Sequence, residues 1–248
     1  MYQKLAKRVI MNSKIYKLIL CLVVVGSLSL TSYSTSMAIP TTEDSQVNPN
    51  TLLKLKQSTE SIVEHFKKYS SKLKVTQRMD RIGPALLLNM DYELGGGDLK
   101  EQAAHFISQF APLWGQLKVT IEKIETRKDR SVVHLVGEIN GVPVSNQQSK
   151  LTIKNGKAQH LSNGLGALAK LIQSRVEEAD AIKAAKATLG DQAGKLISVK
   201  KVAVSYEPAI AHEIFELRFT RTNAFSTWIV LVDGRDGAVI KVTTGELK

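Results

Sequence analysis

The sequence predicts an α+β protein made of two tandem units, each a helix packed on an antiparallel sheet, preceded by an export signal. Three observations lead to this prediction. The chain opens with a basic and then apolar segment. A helix with a start signal, followed by a run of strands, then occurs twice. Each run of strands closes on a tight-turn dipeptide, Asn155-Gly156 in the first unit and Asp236-Gly237 in the second.

Residues 1–38 have the pattern of a signal peptide. An apolar run over residues 18–30 precedes Ser36-Met37-Ala38, a small-x-small cleavage site, and follows five basic residues, Lys4, Lys7, Arg8, Lys14 and Lys17. The run is shorter than the roughly 20 apolar residues of a membrane span. We therefore expect cleavage after Ala38, no stable membrane anchor afterwards, and a periplasmic or extracellular location; a retained anchor is the alternative.

The single cysteine, Cys21, lies in this apolar run. Leu20 precedes it where lipid attachment requires a small residue, so a lipid anchor is not expected. The exported chain would then contain neither a disulfide nor a thiolate site.

The formal charge of +11 belongs partly to the signal. Without the five basic residues of the signal, the chain has 29 Lys and Arg and 23 Asp and Glu, which gives a net charge of +6. These residues are interspersed, and no nucleic-acid motif accompanies them. Nucleic acid is therefore not an expected partner, whereas an acidic protein surface is compatible with this charge.

Residues 39–73 are predicted to form a polar leader and a first helix. The helix spans residues 51–69 and carries apolar residues at helical spacing: Leu52, Leu55, Ile62, Val63 and Phe66. Residues 74–92 form two extended pieces around Gly83-Pro84, and Gly95-Gly96-Gly97 breaks the chain.

The second helix begins with a capping box formed by Asp98 and Glu101. Its apolar face comprises Leu99, Ala103, Phe106, Phe110 and Trp114, and Gly115 is expected to end it. Strands are predicted at residues 117–127, 131–140, 148–154 and 157–162.

After a connection at residues 165–173, the same order begins again. Ser174 and Glu177 match another capping box, and Gly190 ends the helix. Its shared face comprises Val176, Ala179, Ile182 and Leu189. Strands are predicted at residues 196–206, 213–220, 226–233 and 238–243.

Two stretches carry a family resemblance. DLKEQAAHFISQFAPLWG (98–115), followed by IEKIETRKDRSVVHLVGEINGVPVSNQQSKLTIKNGKAQHLSNGL (121–165), resembles the fungalysin/thermolysin propeptide (FTP) domain. SRVEEADAIKAAKATLG (174–190), followed by WIVLVDGRDGAVI (228–240), is similar to the PepSY domain that comes next in thermolysin-type precursors. The resemblance implies cystatin-like folds, with an FTP-like domain at residues 74–165 and a PepSY-like domain at residues 174–248.

The sequence differs from the pattern of the propeptide family at one place that concerns the choice of protease partner. Ser145-Asn146-Gln147-Gln148 stands where many members carry an aromatic or glycine pair. Lys248 also stands where a catalytic domain would begin in a precursor.

The residues themselves do not assemble a reaction, so no enzyme activity, cofactor, catalytic residue or metal ligand is predicted. His212-Glu213 resembles the start of a metalloprotease helix, but Glu216 occupies the place of the second histidine and the segment alternates like a strand. The other histidines, His65, His105, His134 and His160, are expected to be solitary. We expect Ser174 to be a cap, Gly95-Gly96-Gly97 a linker, and Trp114 and Trp228 core residues.

The resemblance implies a function as a binding protein. Propeptides of this family inhibit and help to fold the protease that they precede, so a separate copy would act in trans on a thermolysin-like metalloprotease, through the edges of its sheets and its carboxyl-terminal segment 243–248. Two alternatives remain: a non-catalytic envelope or peptide-binding module, and the remnant of a precursor that lost its protease domain.

Overall fold

Two sheets, each covered on one face by helices, form the architecture of the computed structural model. It describes residues 46–145, 147–222 and 226–246, so the predicted signal peptide lies outside the described residues. The helices are α1 (Pro49–Tyr69), α2 (Leu99–Gln109) and α3 (Glu178–Leu189). The strands are β1 (Lys74–Gln77), β2 (Pro84–Glu93), β3 (Lys118–Thr126), β4 (Ser131–Ile139), β5 (Val142–Pro143), β6 (Ser149–Lys154), β7 (Lys157–Asn163), β8 (Lys170–Ile172), β9 (Ala193–Glu207), β10 (Ile210–Arg221), β11 (Ser226–Asp233) and β12 (Val239–Glu246). The predicted α+β class is confirmed.

The first sheet has the order β1-β2-β7-β6-β4-β3, with the short β5 paired to β4. Alternation places one side of each strand against α1 and α2, where Leu135, Leu151 and Leu161 are fully buried. Phe66 of α1 stacks on Phe106 of α2 in the same core. The first helix therefore belongs to the core of the first sheet.

The capping box that opens α2 is confirmed. Oδ1 of Asp98 accepts hydrogen bonds from the backbone N–H groups of Lys100 and Glu101, and Glu101 Oε2 accepts from the N–H of Asp98. The predicted end at Gly115 is wrong, because α2 ends at Gln109 and a 3-10 turn spans Ala111–Trp114. Pro112 has no N–H and its ring clashes with an α-helical turn, which explains the earlier end.

The second sheet has β10 at its centre, flanked by β9 on one side and by β11 and then β12 on the other. Ala181, Ala185 and Leu189 of α3 pack on Phe215 and Phe219 of β10. The predicted inclusion of Ala179 in this face is wrong, because Ala179 is exposed.

The predicted capping box of α3 is also wrong. Glu177 is the N-cap residue and makes no side-chain capping bond. The hydroxyl of Ser174 instead donates to the carbonyls of Val176 and Gly234, at 2.9 and 3.1 Å. The backbone N–H groups of Arg175 and Val176 also bond to Gly234 O, so the segment before α3 is fastened to the end of β11.

The predicted tight turn at Asn155-Gly156 is confirmed. Asn155 and Gly156 have positive φ angles of 50° and 72°, the combination that a two-residue type I′ hairpin requires. The prediction of a two-residue turn at Asp236-Gly237 is wrong. Asp233 N donates to Ala238 O, so the β11–β12 turn is longer, and of the dipeptide only Gly237 has a positive φ angle, 76°.

The connection between the two units is ordered and includes a strand that the sequence did not predict. β8 pairs in parallel with residues Ile210–His212 of β10. Gly115 makes close contact with this connection: a Cβ atom added to it would lie 2.2 Å from Leu168 O. The described residues form one compact unit that contains both sheets.

The Asn140-Gly141-Val142-Pro143-Val144 motif joins the two sheets. Asn140 and Gly141 have positive φ angles and turn the chain from β4 into β5. Val144 then bridges in parallel to Ala203 of β9, and Ser145 N donates to Ala203 O at 2.9 Å. This part of the stretch that resembles the FTP domain is therefore occupied by an internal contact.

Candidate binding groove

The edges of the sheets differ in how accessible their backbone is to a partner. β3, at one edge of the first sheet, carries ion pairs between Lys118 and Glu138 at 2.8 Å and between Lys123 and Glu125 at 2.6 Å. Charged edge strands of this kind disfavour pairing with another chain. At the other edge, β1 pairs with β2 only, and its outer side has no strand neighbour in the part of the chain that the structure describes.

The outer strands of the second sheet are less suited to strand addition. β9 is bulged near Ile197, because Leu196 and Ser198 pair with the adjacent residues Phe219 and Arg218, and Ile197 is 49% exposed. A bulge interrupts the regular ladder that an added strand would need. At the opposite edge β12 is also bulged, at Ile240, because Val239 and Lys241 pair with the adjacent residues Val232 and Leu231, and Ile240 is 40% exposed.

The carboxyl-terminal segment 243–248, which was predicted to contact the partner, is part of the second sheet over the residues that the structure describes. Thr243, Thr244, Gly245 and Glu246 belong to β12, where they pair with Ile229, Trp228, Thr227 and Ser226 of β11. Residues 247 and 248 lie outside the described residues.

A groove of about 650 Å³ lies between α1 and the β1 edge; we call it the helix–edge groove. Its lining residues are Lys56, Thr59, Glu60, Val63, Glu64 and Lys67 of α1 together with Val75, Gln77, Arg81, Ile82, Gly83 and Pro84. Its volume is in the usual range of ligand sites, about 300–1,000 Å³.

The shape of this groove depends on a close contact between α1 and the chain before β2. Gly83 has a φ angle of 88°, and a Cβ atom added to it would lie 3.2 Å from Cγ2 of Thr59. The Thr59 hydroxyl donates to Lys56 O at 2.8 Å, which keeps this small side chain turned into its own helix. The helix can therefore lie close to the chain at Gly83, directly before β2.

The walls of the groove carry both signs of charge. Lys67 and Glu64 form an ion pair at 2.5 Å on the helix wall, while Glu60 and Lys56 are exposed. Arg81 is held in place, because its guanidinium donates to Gly164 O, and its partial burial lowers its pKa. An extended peptide of mixed charge would find complementary groups along these walls.

The segment between β1 and β2 adds an exposed apolar group close to the groove. Met79 is fully exposed, and its neighbours Arg78 and Asp80 form an ion pair at 2.6 Å. Exposed methionine is an adaptable contact residue at binding surfaces.

The structure places His212 and Glu213 on opposite faces of β10, so they do not resemble a metalloprotease pair. Glu213 lies 2.7 Å from Lys201 Nζ. His212 is buried beside Glu207, with Nε2 and Oε1 4.0 Å apart. Burial, assisted by the charge of Arg235, lowers the pKa of His212 below its ordinary value.

The other histidines occupy three different environments. His65 packs in an aromatic cluster near Tyr69, Tyr92 and Phe110, and His105 is exposed on α2. His134 and His160 line a common depression on the face of the first sheet opposite the helices. Both histidines were expected to be solitary. Their positions in two predicted strands of the same unit were the sequence signal that could have placed them together.

The two tryptophans differ in how deeply they are buried. Trp114 is fully buried, as predicted, and its Nε1 donates to Oδ1 of Asn163 at 2.9 Å. Trp228 is only partly buried, so the prediction of a core residue is incomplete. The guanidinium of Arg221 lies 4.5 Å from the centre of its ring, in a cation–π arrangement.

Among residues 46–145, 147–222 and 226–246, no three His, Cys, Asp or Glu side chains are gathered closely enough to hold a metal ion. Within the same ranges, no helix has the length and apolar character needed to cross a membrane.

Comparisons with known proteins yield likenesses in structure only. No family model matches the chain, and no curated protein matches it. The C-terminal domain of Bacillus megaterium YpeB is 11% identical with a TM-score of 0.33, covering 82% of this chain and 99% of that domain. A candidate lipoprotein of Clostridium difficile 630 is 14% identical with a TM-score of 0.25, covering 60% of this chain and 95% of that protein. At these scores neither likeness carries an argument about function, and the resemblance to propeptide domains stays a prediction.

Proposed function

We propose that the protein binds an extended segment of another protein in the helix–edge groove, by adding it as a further strand beside β1. The observation that carries this proposal is the open edge of β1 next to a groove of about 650 Å³. In such complexes main-chain hydrogen bonds supply affinity and side-chain pockets supply specificity. Val63, Val75 and Ile82 provide an apolar surface, and the charged side chains of α1 provide the polar contacts.

The partner that we propose is a secreted thermolysin-like metalloprotease, which the protein inhibits or helps to fold in trans. This step rests on the resemblance of residues 98–243 to propeptide and PepSY sequences. The alternative, a non-catalytic module that binds an envelope component or other peptides, would use the same groove. The experiment below distinguishes these partners from the protease.

The energy needed for action in trans is compatible with strand addition. A covalent propeptide has an effective concentration in the millimolar range, which a separate protein lacks. Binding at micromolar instead of millimolar concentration requires about 4 kcal/mol more. The outer edge of a four-residue strand offers about four backbone groups, and each hydrogen bond contributes roughly 0.5–1.5 kcal/mol net. The β1 edge can therefore supply an energy of the required size.

The test compares two matched substitutions on opposite edges of the first sheet. Val75 of β1 and Val119 of β3 are both partly buried valines that pack against the same core. Val75→Glu places a charge in the helix–edge groove, whereas Val119→Glu places it at the far edge. We expect the wild-type protein to inhibit the protease, or to assist its refolding, at tens of micromolar or below, and Val75→Glu to weaken this about tenfold or more, since one misplaced charge costs more than 1.4 kcal/mol.

Two results would count against the proposal in different ways. The wild-type protein could fail to inhibit the protease or assist its refolding, while a pull-down recovers another secreted partner that the Val75→Glu variant does not bind. The protease would then be the wrong partner, and the groove would still be the binding site. If both variants act like the wild type, the groove is not the contact. Equal melting temperatures of the two variants would show that the comparison is free of a difference in stability.

A further inference from the structure

A second groove lies on the face of the first sheet opposite the helices; we call it the sheet-face groove. It has a volume of about 330 Å³ and is lined by residues of β2, β3, β4, β6 and β7 and of the β3–β4 turn: Leu86, Glu125, Arg127, Arg130, Val132, His134, Lys150, Thr152, His160 and Ser162. It is separate from the helix–edge groove, since the two share no lining residue.

Three cationic side chains of this groove are not compensated. Arg127 and Arg130 flank the β3–β4 turn, where Arg127 N donates to Arg130 O at 2.8 Å, and Lys150 reaches from β6. None of the three makes an ion pair with a carboxylate among the described residues, although the nearby Lys154 pairs with Asp129 at 3.3 Å. The surface therefore presents three positive charges that remain available for a ligand.

Glu125 is the one carboxylate among the described lining residues, and its charge is already offset. Lys123 Nζ lies 2.6 Å from Glu125 Oε1. His134 Nε2 lies 3.2 Å from the same oxygen. The net charge of the groove therefore stays positive.

The floor of the groove supplies hydrogen-bond donors in fixed positions. His160 Nδ1 accepts a hydrogen bond from the backbone N–H of Asn89 at 3.2 Å. A ring that accepts at Nδ1 carries its proton at Nε2, so His160 is a donor at its other nitrogen. The hydroxyl groups of Thr152 and Ser162 line the groove beside it.

The buried side chain of His134 points most directly to a ligand. Its side chain is only 7% exposed, yet Nδ1 has no hydrogen-bond partner within the described part of the chain. Buried polar atoms of native proteins are nearly always partnered, by protein, water or ligand. An unpartnered buried imidazole that lines a cationic groove is consistent with a polar ligand bound there.

We propose that the sheet-face groove binds a phosphate group. Arginine side chains match phosphate oxygens in pairs, and lysine adds a point charge. A phosphate offers enough acceptor oxygens for two arginines, a lysine and the donors of the floor, whereas one carboxylate offers two oxygens. The groove is at the small end of the range of ligand sites, which suits inorganic phosphate or a small phosphate monoester.

The test is calorimetric titration of the full chain with inorganic phosphate, glycerol phosphate and succinate at constant ionic strength. Arg130→Gln and Lys150→Gln each remove one cation from the groove. Lys128→Gln is the matched control, because Lys128 lies between the two arginines in the turn but does not line the groove. We expect the dissociation constant for phosphate or its monoester to rise about tenfold or more in the two groove variants, and less than about twofold in the control.

Three results would overturn the proposal. The first is no binding of either phosphate compound at about ten millimolar, well above the millimolar affinity of a weak site. The second is an equal loss of binding in Lys128→Gln, which would assign the effect to the overall charge of the surface. The third is tighter binding of succinate than of phosphate with the same dependence on Arg130 and Lys150, which would make the site one for carboxylates.

Discussion

Asn163, at the end of β7, holds together a buried polar network whose loss has a predictable cost. Its Oδ1 accepts hydrogen bonds from Trp114 Nε1 at 2.9 Å, Ser149 Oγ at 2.9 Å and Gly166 N at 3.2 Å. Its Nδ2 donates to Leu113 O at 3.3 Å. The network fastens the connection between the two sheets to the core of the first, and Asn163 is 1% exposed.

The substitution Asn163→Leu keeps the size of the side chain and removes every one of these bonds. Three buried donors lose their acceptor, and each unsatisfied group costs about 1–3 kcal/mol, or roughly 3–9 kcal/mol in all. Burial of leucine returns about 2 kcal/mol. We therefore expect the free energy of unfolding to fall by about 1–7 kcal/mol, a large part of the 5–15 kcal/mol typical of a folded protein.

The measurement is urea unfolding followed by tryptophan fluorescence. With an m value near 3 kcal/mol per molar, the midpoint should fall by about 0.3–2.3 M. Asn50→Leu is the control, because Asn50 is exposed on α1 and the same substitution there should change stability by less than about 0.5 kcal/mol. A loss below about 1 kcal/mol for Asn163→Leu would refute the reasoning, since it would mean that the three donors find other partners.

Four other predictions concern the backbone, pH, export and metal. Gly115→Ala should destabilise the protein by about 2 kcal/mol more than Gly141→Ala in the same urea assay, because both glycines have positive φ angles but only Gly115 has a backbone atom within 4 Å of the added methyl group; equal losses would contradict the role of this contact. Because burial lowers the pKa of His212, its contribution to stability is fully present above the ordinary pKa of about 6.5 and is lost as the pH falls below it. His212→Gln should therefore flatten this part of the pH profile of the melting temperature, whereas replacement of the exposed His105 should not; an unchanged profile in His212→Gln would be evidence against this reasoning. Amino-terminal sequencing of exported protein should find cleavage after Ala38, and an intact first residue or a lipidated cysteine would show that the signal was misread. The melting temperature should not change with chelator or reductant, and a drop with chelator would reveal a metal site.

The sequence was most informative where structure depends on neighbouring residues. The capping box of Asp98, the positive-φ turn at Asn155-Gly156 and the helix end at Gly190 are all present. Each of these signals acts over four residues or fewer, so no knowledge of the remaining fold is needed to read it. Periodicity likewise predicted the helices and most strands, because one buried face dictates one spacing.

The candidate sites depend on partners that are distant in the chain, and the sequence could not predict them. His134 and His160 become neighbours through β6, which pairs with both of their strands. The helix–edge groove requires Thr59 of α1 to lie against Gly83, which precedes β2. Such contacts depend on strand order and register, which local propensity does not encode.

The α+β class and the succession of helices and strands can be predicted from the amino-acid sequence, because hydrophobic period, caps and turns are local properties. The contacts that these elements make with one another depend on the tertiary fold. In the folded protein the Ser174 hydroxyl donates to Gly234 O instead of capping α3. Residues 243–246 pair with β11 as part of β12, and Val144 bridges to Ala203 of the second sheet. In each case the hydrogen-bond partner lies on another part of the fold, and a buried backbone group must be paired wherever its partner lies in the chain.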